Sequence, residues 1–254
     1  KPFTPELGKA CWKVMKPRTE LAHTVLEWAT SWHRPGSAKV FVAARLLRIW
    51  RRHDLDVNQA SLDFLSRASQ STTISKDDLY HLYSELTKSG HFSVSGYAHW
   101  LIARGGLRSG KDIAVDGPVA TRLLAELSLH DVSDSVIRLR KTLLRRAAFS
   151  TEDEQATIED TWRMIKAGLP NLASEHESRM DTSSEHDIAQ AIPPLSRTIK
   201  AELGGRLRNL VKDAIAGTND AMKTIKTISM GDFVLVRSIL EQSEDISMLA
   251  DVLK

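Results

Sequence analysis

One cysteine, three tyrosines and no long apolar run set the first bounds on this 254-residue chain. Cys11 alone can neither close an internal disulfide nor anchor a cysteine-based metal site, which suits a reducing compartment, cytosolic or nuclear. No stretch approaches the roughly 18 consecutive apolar residues of a membrane-crossing helix. The start at Lys1 carries no signal-peptide pattern, and the chain reads as a segment of a longer protein. Charge of one sign is also lacking. The 35 Lys and Arg against 32 Asp and Glu leave +3, an excess too small to argue nucleic-acid binding by itself. Sustained period-two alternation with β-branched enrichment, the mark of strands, is absent. What remains is 42% hydrophobic and 26% charged, a globular composition long enough for one large domain or two small ones.

The patterning that is present is helical nearly throughout. Leu21, Val25, Trp28 and Trp32 fall on one stripe of a 3.6-residue helix. After an Arg34-Pro35-Gly36 corner, Val40, Val42, Ala43, Leu46, Leu47, Ile49 and Trp50 form an apolar arc wide enough for a helix stacked between others. Ser75 to Asp78 opens a helix in capping style, and Thr151 to Glu154 has capping-box spacing before another. Val119–Leu129 and Ser133–Phe149 read as a helix pair. Pro193-Pro194 is placed in the first turn of a long helix through Ala214. Asp232 is expected to cap the helix that follows it, and Leu249, Val252 and Leu253 to sit on the last one. The predicted fold is all-α: an irregular, solenoid or HEAT-like array of stacked antiparallel helices without a sheet. Residues 1–170 form its first region and 193–254 a second helical segment. Residues 171–192, polar and aperiodic from Asn171 to Ser184, are expected to be a linker or mobile loop.

Catalytic chemistry is hard to place. Gly105-Gly106-Leu107-Arg108-Ser109-Gly110-Lys111 fits a phosphate-binding loop up to its lysine. Asp112 then stands where a magnesium-binding hydroxyl is required, and helical spacing precedes the loop instead of a strand. The nine histidines include no His-x-x-x-His pair. No catalytic, cofactor or metal residue is therefore assigned. Two basic features point instead to partners. Phe41 lies opposite the apolar arc of its helix with Arg45, Arg48 and Arg52 as angular neighbours, and aromatics among arginines are typical of interface hot spots. Arg140 falls inside the apolar arc set by Val136, Ile137, Leu143, Leu144 and Ala147. Buried there, it needs a carboxylate or several carbonyls, and an internal ion pair with an acidic residue of another helix is expected; alternatively it lies on a face that a partner covers.

Residues 21–53, LAHTVLEWATSWHRPGSAKVFVAARLLRIWRRH, resemble the LCEWAV domain of the subunit 12 family of the Mediator of RNA polymerase II transcription, fungal type. Val25-Leu26 stand where the motif has Leu-Cys, and Thr30 where it has Val, changes that keep the helical pattern. Residues 75–80, 90–93, 97–106, 127–150 and 231–254 resemble the same family, so the likeness spans most of the chain. The resemblance implies a non-enzymatic scaffold of the nuclear Mediator kinase module. Its expected partners are the module's cyclin-dependent kinase, cyclin C and subunit 13, and its role is regulation of transcription. The competing reading is a nucleic-acid-binding helical domain that uses Arg45, Arg48, Arg51 and Arg52 together with Arg138, Arg145 and Arg146. Its affinity would fall steeply with salt.

Overall fold

A computed structural model describes residues 5–68, 73–129, 132–169, 172, 185–216 and 229–243. These residues form twelve α-helices and one 3-10 turn, with no named strand among them. The chain divides into two compact units, Lys1–Phe149 and Ser150–Lys254.

The first unit holds α1 (Pro5–Val14), α2 (Arg18–Thr30), α3 (Ala38–Arg51), α4 (Val57–Ala68), α5 (Lys76–Lys88), α6 (Val94–Ala103), the 3-10 turn Gly110–Asp112, α7 (Val119–Glu126) and α8 (Asp134–Arg146). Helix α3 packs on α1, α2 and α5, and its wide apolar arc is the reason: Val40, Ala43, Leu47 and Trp50 are fully buried on it. Three large aromatics fill the core and send their polar tips to carbonyls of neighbouring helices. Trp50 Nε1 donates to Gly8 O at 2.9 Å, Tyr83 OH to Ser61 O at 2.7 Å, and Tyr97 OH to Ala120 O at 2.5 Å. Each aromatic thus contributes apolar area and fixes one helix against another. Burial pushes the Tyr83 and Tyr97 hydroxyls well above the ordinary tyrosine pKa, so both remain donors.

The α2–α3 corner is clamped by a buried lysine. Lys39, at the start of α3, sends its ammonium to Ser31 O at 2.6 Å, Arg34 O at 2.5 Å and the Asp78 carboxylate at 2.8 Å. The same corner pairs with the strand-like approach to α5: Trp32 N donates to Thr73 O, Ser75 N to Thr30 O, and Ser31 and Ile74 form an isolated antiparallel bridge. Gly36 turns the corner at φ +90°, a conformation that a side chain at Cβ disfavours. Helix α2 ends at Thr30, so Trp32 leaves the expected stripe and lies 61% exposed.

The second unit holds α9 (Thr151–Gly168), α10 (Glu185–Ala191), α11 (Arg197–Ala216) and α12 (Met230–Gln242). Its core joins Ile158, Ile165, Ile188, Leu203, Leu207 and Ile239. Gly168 permits close approach at the end of α9, where an added Cβ would lie 2.6 Å from Ile188 Cδ1 and 3.0 Å from Leu235 Cδ2. Arg206 on α11 ties the helices outside the core, with a two-pronged contact to Glu159 on α9 at 2.8 and 3.1 Å. This guanidinium holds the Glu159 carboxyl below its ordinary pKa.

Several expected boundaries move. The compact units meet at Phe149/Ser150, and α9, grouped with the first region by sequence, packs on α10 and α11 of the second. Residues 185–191 of the expected linker form α10, because Ile188 and Ile192 give that short stretch an apolar side to bury. The rest of that stretch lies outside the described residues except for Leu172 and the turn after α10. Pro193 and Pro194 precede α11, which starts at Arg197. Ser150, one residue before the expected box, caps α9, its hydroxyl accepting from Asp153 N at 3.1 Å. Ser229 caps α12 by accepting from Asp232 N at 3.0 Å, which moves Asp232 into the first turn. Leu249, Val252 and Leu253 lie outside the described residues.

Lys39→Met leaves the half-buried Asp78 carboxylate and two carbonyls without their cation. The expected loss is about 3 kcal/mol of stability, measured by urea or thermal unfolding.

Candidate interaction surface

The helical propensity of AKVFVAARLLRIWR, together with its apolar arc, determines which side of α3 faces outward. Arg45, Arg48 and Arg52 are exposed on that side. Arg48 Nε contacts Ala44 O at 3.3 Å, and Arg51, on the same last turn, donates to Gly90 O at 2.7 Å. Among the described residues no carboxylate forms an ion pair with Arg48, Arg51 or Arg52. Their field reaches His91 in the loop after α5. Partial burial lowers the His91 pKa, and the charges of Arg51, Arg48 and Arg52 lower it further, against the opposing effect of its 2.5 Å contact with Ser89 O. Basic residues at a helix C-terminus are favourable in themselves, because they face the negative end of the dipole.

Phe41 does not stand free among the arginines. It is half-buried and meets the His81 ring of α5 edge-on, with centroids 5.0 Å apart and planes at 85°. Arg140 is buried at 3% exposure. It donates from Nε to Leu124 O at 2.9 Å and from Nη2 to Ala125 O at 3.2 Å. Those carbonyls belong to the last turn of α7, where helix geometry leaves acceptors without intrahelical donors. Through these two bonds Arg140 caps α7 from inside the chain.

The glycine-rich loop is closed to phosphate. The Asp112 carboxylate accepts from Arg108 N at 2.7 Å and Ser109 N at 2.9 Å, filling the donors an anion would use. Helix α6, not a strand, precedes it. Among the described residues no group of three or more His, Cys, Asp or Glu is placed to hold a metal ion. Sequence reading missed a second feature at the α2–α3 corner. Exposed Trp32 lies tilted by 36° against the His33 ring with centroids 4.2 Å apart, while the Arg34 guanidinium lies 5.9 Å over half-buried Trp28. The helix stop at Thr30 was the local signal, since a stripe residue beyond the last turn need not point inward.

Comparison with known proteins supplies a context for these surfaces. The pattern of the SRB8 ARM-like domain matches residues 149–254, nearly coincident with the second compact unit. The chain is 38% identical to a Mediator of RNA polymerase II transcription subunit 12 from Neurospora crassa, over 100% of this chain and 14% of that protein. It is 35% identical to the subunit 12 of Emericella nidulans, over 96% of this chain and 15% of the relative. The subunit 12 of Coccidioides immitis is 33% identical, over 98% and 16% respectively. The chain therefore spans only a small part of the length of these relatives. No solved structure matches it.

Arg140→Met removes both bonds to the α7 end and leaves buried carbonyls unpaired, for an expected loss of about 2–4 kcal/mol in urea unfolding. An NMR titration of His91 is expected to show a midpoint below the ordinary value of about 6.5, moving upward in Arg51→Gln. The sign for stability follows from linkage. The unfolded chain takes up this proton more readily, so His91's contribution is present above about 6.5 and is lost as pH falls toward the lower folded value.

Proposed function

From the premise that the chain is homologous over its whole length to a segment of Mediator subunit 12, we propose that it is a non-enzymatic, regulatory scaffold segment of the Mediator kinase module. It acts in the nucleus, in transcription by RNA polymerase II. Its helical units hold the cyclin-dependent kinase–cyclin C pair in a fixed relation to subunit 13, and phosphoryl transfer is the partner's chemistry. The observation that carries this reading is the likeness to Mediator subunit 12 along the entire chain, with an ARM-like match over the second unit. Stacked helices bound by buried polar clamps suit such a role, because rigid faces bind without a further ordering cost.

Within the scaffold, the exposed Arg45, Arg48 and Arg52 side of α3 is our choice for a partner contact. Arginine is enriched at interface hot spots, and among the described residues Arg48 and Arg52 have no carboxylate to release. Phe41 supports this face from behind through His81. The exposed guanidiniums of this side also favour a second reading, binding of nucleic-acid phosphates.

One experiment separates them: retention of the whole chain on the purified kinase–cyclin pair, on subunit 13 and on an oligonucleotide, at low and moderate salt. The scaffold reading expects a protein partner to be retained at moderate salt. It also expects Arg48→Glu with Arg52→Glu to weaken that retention about tenfold, or ~1.4 kcal/mol, at unchanged melting temperature. Retention on the oligonucleotide alone, vanishing as salt rises, would establish the second reading instead.

A further inference from the structure

Helix α1 has two apolar sides, and the first unit covers one of them. Gly8 and Trp12 turn inward: Gly8 O accepts from Trp50 Nε1, and the Trp12 ring lies 6.2 Å from that of Trp50 and 5.6 Å from that of His53. Outward, Leu7, Ala10 and Val14 recur at i, i+3 and i+7, with Leu7 49% and Val14 87% exposed. We propose that this stripe docks an acidic amphipathic helix of a partner protein, its aliphatic side chains on Leu7, Ala10 and Val14 and its carboxylates on Lys9, Lys13 and Lys16. The proposal rests on the scaffold reading and deepens it by naming the chemistry of a bound segment.

The charge that selects the occupant is on and just beyond the same helix. Lys9, Lys13 and Lys16 are exposed, and among the described residues none of them forms an ion pair. Glu6, in the first turn, is the one acidic residue of α1, so three cations stand against one carboxylate. The neighbouring helices do not redress the balance. Helix α3, on which α1 packs, contains no acidic residue. On α2, Glu20 reaches toward Arg67 of α4 at 3.8 Å, and Glu27 stands at the other end by the α2–α3 corner. Asp54 and Asp56 line the opening between the α3–α4 and α5–α6 connections. Arg18 is held internally, bonded to Met15 O at 2.7 Å and to Trp12 O, with its guanidinium 4.1 Å over the Trp12 ring.

The spacing selects a helix. Leu7 and Val14 stand about 10 Å apart along the axis, with the small Ala10 between them. Large, small, large along one side leaves a hole for an aliphatic knob of a second helix, and anchors at i, i+3 and i+7 are how helices present such contacts. A second copy of α1 would bring three more lysines and one more glutamate, adding to the positive charge instead of offsetting it. Nucleic-acid phosphates would meet the lysines but gain nothing from covering Leu7 and Val14. Membrane-surface helices insert aromatic and leucine side chains, whereas the one aromatic of α1, Trp12, packs inward.

The test is fluorescence polarisation of the full 254-residue chain with a labelled helical peptide that carries leucines on one side and glutamates beside them. Further probes are its lysine-for-glutamate and serine-for-leucine counterparts, a short oligothymidylate and phosphatidylserine vesicles. Saturable binding of the first peptide is expected, at least about tenfold weaker for both altered peptides. Val14→Asp, and separately Lys9→Glu with Lys13→Glu, are each expected to weaken it at least about tenfold, while Val14→Ile keeps it. All these side chains are exposed, so the variants are expected to melt like the parent. The two sets alter different halves of the surface, so one remains readable if the other fails to fold. No saturable binding, equal binding of the three peptides, or unchanged binding by a folded Val14→Asp or lysine variant would each overturn the proposal. Tighter binding of the oligothymidylate or the vesicles, or self-association that Val14→Asp abolishes, would overturn it in favour of that occupant. These readouts use no Mediator protein, so they stand apart from the retention experiment. Retained partners with a bare α1 would remove this site alone, and lost partners would leave the peptide result readable.

Discussion

The first unit depends on a charge buried where apolar contacts alone would not define the geometry. The ammonium of Lys39 is 5% exposed and satisfied by two carbonyls of the α2–α3 corner and by Asp78 at the start of α5. Desolvating a lysine is costly, so the fold tolerates it only where all three acceptors converge. That requirement makes the clamp directional. It sets the exit of α2, the entry of α3 and the first turn of α5 in one arrangement, and the backbone pairing between residues 30–32 and 73–75 completes it.

The same logic recurs at smaller scale. Trp50, Tyr83 and Tyr97 each end in a bond to a carbonyl on a different helix, and Arg140 supplies donors to the free end of α7. Apolar burial is non-directional and accepts many helix registers; these polar tips select one. His23 is the counterexample. Both its ring nitrogens are buried without partners beside Phe64, so its side chain contributes packing but no such bond.

The first unit offers two sorts of surface. One is the outward side of a single helix, as with Arg45, Arg48 and Arg52. The other is the edge where successive connections meet, and there the chemistry comes from helix ends. Arg51 and Lys88 sit in last turns, Asn58 and Ser93 at starts, and the Arg51/Asn58 connection is distant in sequence from the Lys88/Ser93 connection. The edge therefore combines opposite dipole ends, their compensating side chains and half-buried valines in one place.

How much of this was legible beforehand differs by element. Composition and 3.6-residue periodicity determined an all-helical chain, because the apolar stripes of α3, α5 and α11 are strong local signals. The quoted motifs likewise carried the family likeness, since it resides in the residues themselves. Local rules placed the Ser75 cap correctly but chose Thr151 instead of Ser150 at α9 and Asp232 instead of Ser229 at α12, where neighbouring polar residues compete for the same turn. Only the tertiary structure decided that Lys39 is buried, that Arg140 meets carbonyls, that Phe41 leans on His81 and that Trp32 is exposed. It alone brought Arg51, His91 and Val136 to one edge. Periodicity reports which side of a helix is apolar. It carries no information on which distant carbonyl, carboxylate or ring will stand opposite, and those pairings set the energy of every buried polar group here.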